Sequence, residues 1–192
     1  MGRWEPNSRG RLAKAAVELF AAQGFEQTTG AQIAARAGMH ERSFFRLFPD
    51  KREVFFYAVE TAQREAIEAI ADAPEGVAPI DAVAAALEQR CEIIQQHPEA
   101  ALTRHNLVSA NAELAERDLS KHAELADGMA EALGERGTPE PVAKLIAHTA
   151  VVVFRVSFDR WIADPKRQNL SAMFRDGLSE LASVLGSRGR SA

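Results

Sequence analysis

The chain has 192 residues, 46% hydrophobic and 26% charged, ordinary for a globular protein able to bury the core of one large domain or two small ones. One cysteine, Cys91, excludes an intrachain disulfide or a thiolate metal site and fits a reducing cytoplasm. No uncharged apolar run of membrane-spanning length is present, and MGRWEPNSRGR lacks the apolar core of a secretory signal. The net charge of −4 divides unevenly: residues 1–52 carry a net of +4 and residues 53–192 a net of −8. A basic head on an acidic body suits a phosphate-binding N-terminal domain.

No strand-like alternation runs long enough to argue for a sheet, so the expected fold class is all-α with about nine helices. The first helix is expected from Asn7 or Ser8 to Gln23, with Gly24 as its stop. Thr29, with Gln32 three residues later, forms a capping box and starts a second helix near Gly30. Gly38 supplies a tight turn into a third. That helix carries His40, Glu41, Arg42, Ser43 and Arg46 on one side and, largely on the other, Phe44, Phe45, Leu47 and Phe48. Asp50 and Glu53 make a second capping box, opening a long fourth helix to about Asp72. Residues 73–79 break it, and a fifth spans about Ile80 to His97. Pro98 opens a sixth to about Ser109, and a seventh covers Asn111 to Gly134. The eighth spans Pro141 to Ala163, stopped by Pro165; the ninth runs from Leu170 to Gly186 and leaves a frayed tail, SRGRSA.

The eighth helix is apolar nearly all round, with Leu145, Val152 and Val156 on one side and Ala147, Val151, Phe154 and Phe158 on another. Such a helix must be covered on most faces. The ninth adds a stripe of Leu170, Phe174, Gly177, Leu181 and Leu185. Two such helices from each of two subunits would make a four-helix bundle.

The order RLAKAAVELFAAQGFEQTT, AQIAARAGM, HERSFFRLFPDKREVF resembles the DNA-binding domain of the TetR/AcrR family of bacterial transcriptional repressors, over about Arg9 to Tyr57. The resemblance implies a TetR-like fold: a three-helix helix-turn-helix domain at 1–50 and a helical effector-binding and dimerisation domain at 51–192. It further implies a homodimer paired through helices near 141–163 and 170–186, a double-stranded DNA operator, and a small-molecule effector. Phe48 and Lys51 stand at the family's spacing. Arg42 replaces a usual glycine or proline, Phe45 a usual tyrosine, and Leu47 a frequent histidine or tyrosine. Phe45 and Leu47 cannot hydrogen-bond phosphate, whereas Arg42 adds a bidentate reader of guanine.

The expected DNA-binding residues are therefore Thr29, His40, Glu41, Arg42, Ser43, Arg46 and Lys51, with Arg9 and Arg11 flanking. His40 to Ser43 open the recognition helix, where side chains reach base edges; Thr29 and Lys51 sit at helix N-termini, which favour phosphate. The ligand-binding candidates are Phe56, Val59, Cys91, Arg104, Asn106 and Arg155 in a largely apolar body. They suit a mostly hydrophobic effector, one form of which carries an acidic head. The five histidines show no metal-binding spacing, and no phosphate loop or nucleophile elbow is present, so no enzyme activity, cofactor or metal is expected.

Overall fold

The computed structural model describes residues 7–163 and 169–188, and within them the chain forms nine α-helices and no strand. They are α1 (Ser8–Gln23), α2 (Gly30–Arg36), α3 (Glu41–Leu47), α4 (Lys51–Ala71), α5 (Pro79–Gln95), α6 (Pro98–Ala110), α7 (Ala112–Glu135), α8 (Glu140–Ala163) and α9 (Leu170–Arg188). The stop assigned to Pro165 and the end of the tail lie outside the described residues.

The chain divides into two compact units. One takes the chain through Ala62 together with Thr103–Asp118; the other takes Gln63–Leu102 and the chain from Leu119. The chain passes between them within α4, α6 and α7.

In the first unit, Leu12, Ala16 and Phe20 of α1 are buried with Ile33 of α2, Phe44 of α3 and Val54, Phe55 and Phe56 of α4. Fully burying one such side chain contributes about 1.5–3 kcal/mol, which is how helices of seven residues hold their shape. The segment 103–118 belongs here because Leu114 is fully buried in this core. Polar ties reinforce it. Asn111 Nδ2 donates to Glu26, Arg117 Nη2 donates to Glu53 at 2.6 Å, and Arg52 pairs with Glu113.

The second unit packs α5, the later turns of α7, α8 and α9 around Leu87, Leu125, Met129, Phe154, Trp161 and Phe174. By length and composition alone α8 would also suit a membrane span. In the fold it is a core helix, burying Ala143, Ala147, Ala150, Val151, Phe154 and Trp161. Its other face stays open: Val142, Leu145, Val152 and Val156 are exposed, with Leu145 at 69%. Leu170 and Phe174, at the start of the expected stripe of the ninth helix, are completely buried inside their own unit. Val184 and Leu185, farther along α9, remain exposed.

Candidate nucleic-acid interface

The first unit builds one outward helix face, and its local hydrogen bonds explain how that face is held. Thr29 Oγ1 accepts from Gln32 N at 3.2 Å while Gln32 Oε1 accepts from Thr29 N at 2.8 Å, so the capping box at the start of α2 is reciprocal. Gln23 of α1 is bolted to the same corner: its Nε2 donates to Gln27 O, Thr28 Oγ1 and Gln32 Oε1. Arg36 donates twice to Glu18, tying the other end of α2 to α1.

The turn from α2 to α3 needs a glycine. Gly38 lies at φ 67°, in the left-handed region, where its N–H reaches Ala35 O and that of Met39 reaches Ala34 O. This paired closure satisfies the last carbonyls of α2 and sends the chain off at a new angle. His40 is the N-cap residue of α3 without a side-chain capping bond, which leaves its ring on the surface.

On α3, Phe44 and Leu47 are buried and Ser43 is half-buried. Glu41, Arg42, Phe45 and Arg46 are exposed and fall together on the outward arc at helical spacing. The expectation is corrected for Phe45. It does not join Phe44, Leu47 and Phe48 on the packed side but stands 55% exposed among the polar residues. The run of four aromatic and apolar positions in five residues hides this, because one turn cannot direct them all inward.

Lys51 opens α4 and is half-buried. Its ammonium donates to Phe25 O at 2.8 Å and Glu26 O at 3.2 Å and lies 4.4 Å from the Phe25 ring centre. Two of its three protons therefore lock the α1–α2 connection to the start of α4. Asp50 accepts from the backbone N–H groups of Arg52 and Glu53. Burial alone would raise its carboxyl pKa, but these bonds and the Arg52 guanidinium hold it below the usual value. The Glu53 carboxylate, expected to close a second capping box, accepts from Arg117. Arg9 is exposed and stacks its guanidinium over Phe48 and Tyr57, 5.4 and 5.9 Å from the ring centres; Arg11 is exposed as well.

The ligand candidates divide between the two units. In the first, Arg104 lies 5.5 Å from the ring centres of both Phe55 and Phe56. Its charge is met by Asp118. Val59 is half-buried and Asn106 exposed. In the second, Cys91 is fully buried in the core and Arg155 is half-buried. Burial pushes the Cys91 thiol up to about 12. Sequence reasoning passed over Trp161, whose indole Nε1 is buried without a hydrogen-bond partner among the described residues, and Arg90, whose guanidinium lies 5.6 Å from the Phe154 ring centre. A lone tryptophan in an apolar helix carries no signal that its N–H will be left over.

A family profile for bacterial regulatory proteins of the tetR family matches residues 12–58, and one for the MftR C-terminal domain matches residues 77–186, more than half of the chain. Among curated proteins, the HTH-type transcriptional regulator TcmR of Streptomyces glaucescens is 38% identical over 79 residues. That match covers 41% of this chain and 35% of TcmR, so it spans about a third of the relative's length. Among solved structures, Thermus thermophilus FadR, a TetR family repressor in complex with lauroyl-CoA, superposes with a TM-score of 0.59. It is 23% identical, over 91% of this chain and 93% of that one. SmeT bound to triclosan, the repressor of a Stenotrophomonas maltophilia multidrug efflux pump, gives 0.65 at 18% identity, covering 90% of each chain. Likeness at this level of identity carries the fold.

Proposed function

The chain belongs to the TetR family of bacterial regulatory proteins, and from that premise we propose that it is a homodimeric, cytoplasmic transcriptional repressor released from a palindromic operator by a small, mostly hydrophobic effector. The observation that carries the reading is the outward arc of α3, where Glu41, Arg42 and Arg46 stand exposed over a back fixed by Phe44 and Leu47. A rigid helix with a hydrogen-bonding front is suited to a major groove. Arg42 is the proposed reader of guanine, His40 and Ser43 supply further base contacts, and Glu41 accepts from a cytosine amino group. Thr29, Arg46 and Lys51 meet phosphate. Lys51 does so with its charge and remaining proton, since two others are committed to carbonyls.

The open aliphatic row of α8, Val142, Leu145, Val152 and Val156, supports pairing with a second copy, joined by the exposed end of α9. Residues 1–50 then read DNA and residues 51–192 sense effector and dimerise. The effector acts by binding more tightly to a conformer whose two recognition helices no longer match half-sites roughly 34–36 Å apart. The relatives solved with lauroyl-CoA and triclosan make a lipophilic ligand the leading class here.

Selection from a randomised duplex library tests the DNA part: an inverted repeat with half-site centres about one turn apart is expected, and an unenriched pool would refute it. A thermal-shift panel of lipophilic acids, neutral lipophiles and polar metabolites tests the effector part. Lipophilic compounds that stabilise the protein should also weaken its grip on the selected duplex. Stabilisation confined to polar metabolites or metal ions would contradict that part.

A further inference from the structure

We propose that Phe45 is the apolar reader of the recognition helix, packing its ring on the C5-methyl group of one thymine in each operator half-site. The inference rests on the DNA-binding reading of α3 and names a contact within it. The first unit contains six other phenylalanines, Phe20, Phe25, Phe44, Phe48, Phe55 and Phe56, each no more than 4% exposed, whereas Phe45 is 55% exposed. It lies on the outward arc one turn beyond Glu41 and Arg42, with Arg46 beside it. An apolar ring set among charged groups is not recruited by their partners, the phosphates and the polar base edges.

The ring is also held in place before any partner arrives. It meets the buried Phe44 ring edge-to-face at 5.2 Å between centres. Behind both lies Gly30, the first residue of α2. A Cβ there would fall 2.8 Å from Phe44 Cε1 and 3.2 Å from Phe45 Cζ, closer than ordinary packing allows. The missing side chain at Gly30 therefore makes a seat for the two rings, and Phe45 needs little ordering when it binds. In the major groove the apolar feature that differs between base pairs is the thymine methyl, which phenylalanine contacts well.

The test uses the full-length protein and the duplex it enriches from a random library. Each thymine is replaced in turn by uracil, which pairs identically but lacks the methyl group. Replacement at one position per half-site should weaken wild-type binding about fourfold for each methyl removed, the value of one buried carbon. Phe45→Ala, a change at an exposed position, should bind the thymine and uracil duplexes equally. Only the ratio between the two duplexes counts, so a general loss of affinity in the variant does not affect the reading. A wild type indifferent to uracil at every position, or a Phe45→Ala variant with the wild-type penalty, would overturn the proposal while leaving the DNA-binding reading intact. Failure to enrich any duplex would instead bring down that reading, and this proposal with it.

Discussion

The outward arc of α3 and the open row of α8 are both helix faces that their own unit leaves uncovered, but their chemistry is opposite. On α3 the exposed positions are Glu41, Arg42 and Arg46 with a single ring, Phe45. On α8 they include Val142, Leu145, Val152 and Val156. Water hydrogen-bonds to the first surface, whereas hydrating the second costs free energy. A charged arc exchanges water for an equally polar partner, with little net gain in apolar burial and a strong dependence on salt. An aliphatic row gains from any dry cover, and a second copy supplies a matching one. Exposure alone does not identify a partner; exposure together with composition does.

The largest effect is expected on α8. Leu145→Glu would place an unpaired charge in a desolvated face, at a cost of several kcal/mol, and should raise the dimer dissociation constant at least about a hundredfold. Sedimentation at micromolar concentration reads it, with DNA binding falling in parallel. Phe174→Ala supplies the contrast. That side chain is wholly inside its unit, so the loss should appear as about 3–5 kcal/mol of unfolding free energy in denaturant titration. If the two variants behave alike, the division of α8 and α9 into an inner and an outer face is wrong.

On α3 the expected effects are smaller and divide by kind. Arg42→Ala should cost about 1–3 kcal/mol of binding and relax preference at one base position. Lys51→Ala should weaken all sequences alike and lower the salt slope by about 1. It should also lower stability by about 1–2 kcal/mol, because the same ammonium ties Phe25 O and Glu26 O to the start of α4. A Lys51→Ala protein of unchanged stability would show that those bonds contribute nothing in solution.

Asp50 is the mildest case and carries a pH dependence. Asp50→Ala should cost about 1 kcal/mol as a lost helix cap. The folded carboxyl titrates below the ordinary 3.8, so its contribution is complete above that value and is lost as pH falls through the lowered folded value. Acid titrations of wild type and variant should therefore converge below pH 3.8 and run parallel above it.

Much of this was legible in the chain because helix ends are written locally. Thr29 with Gln32, Gly38, Asp50, Pro98 and Asn111 each act within a few residues, and each stands at the helix boundary it announces. Facts set by distant partners were not legible. The segment 103–118 joins the first unit through Asn111 with Glu26 and Arg117 with Glu53, pairs 85 and 64 residues apart. The ion pair of Arg104 with Asp118, fourteen residues on, is another contact that no local pattern announces. Phe45, expected on the packed side, stands outward, because in an aromatic-rich helix periodicity does not say which apolar side is the inner one.

On this reading the arc of α3 reads base sequence rather than merely attracting phosphate. Competition titration of the selected duplex against a scrambled duplex of equal length and composition, at one fixed salt concentration, tests it most directly. The wild type should prefer the selected duplex by about a thousandfold or more, a preference that shrinks by roughly tenfold or more in Arg42→Ala. Equal affinity for the two duplexes, or a preference that Arg42→Ala leaves untouched, would contradict it.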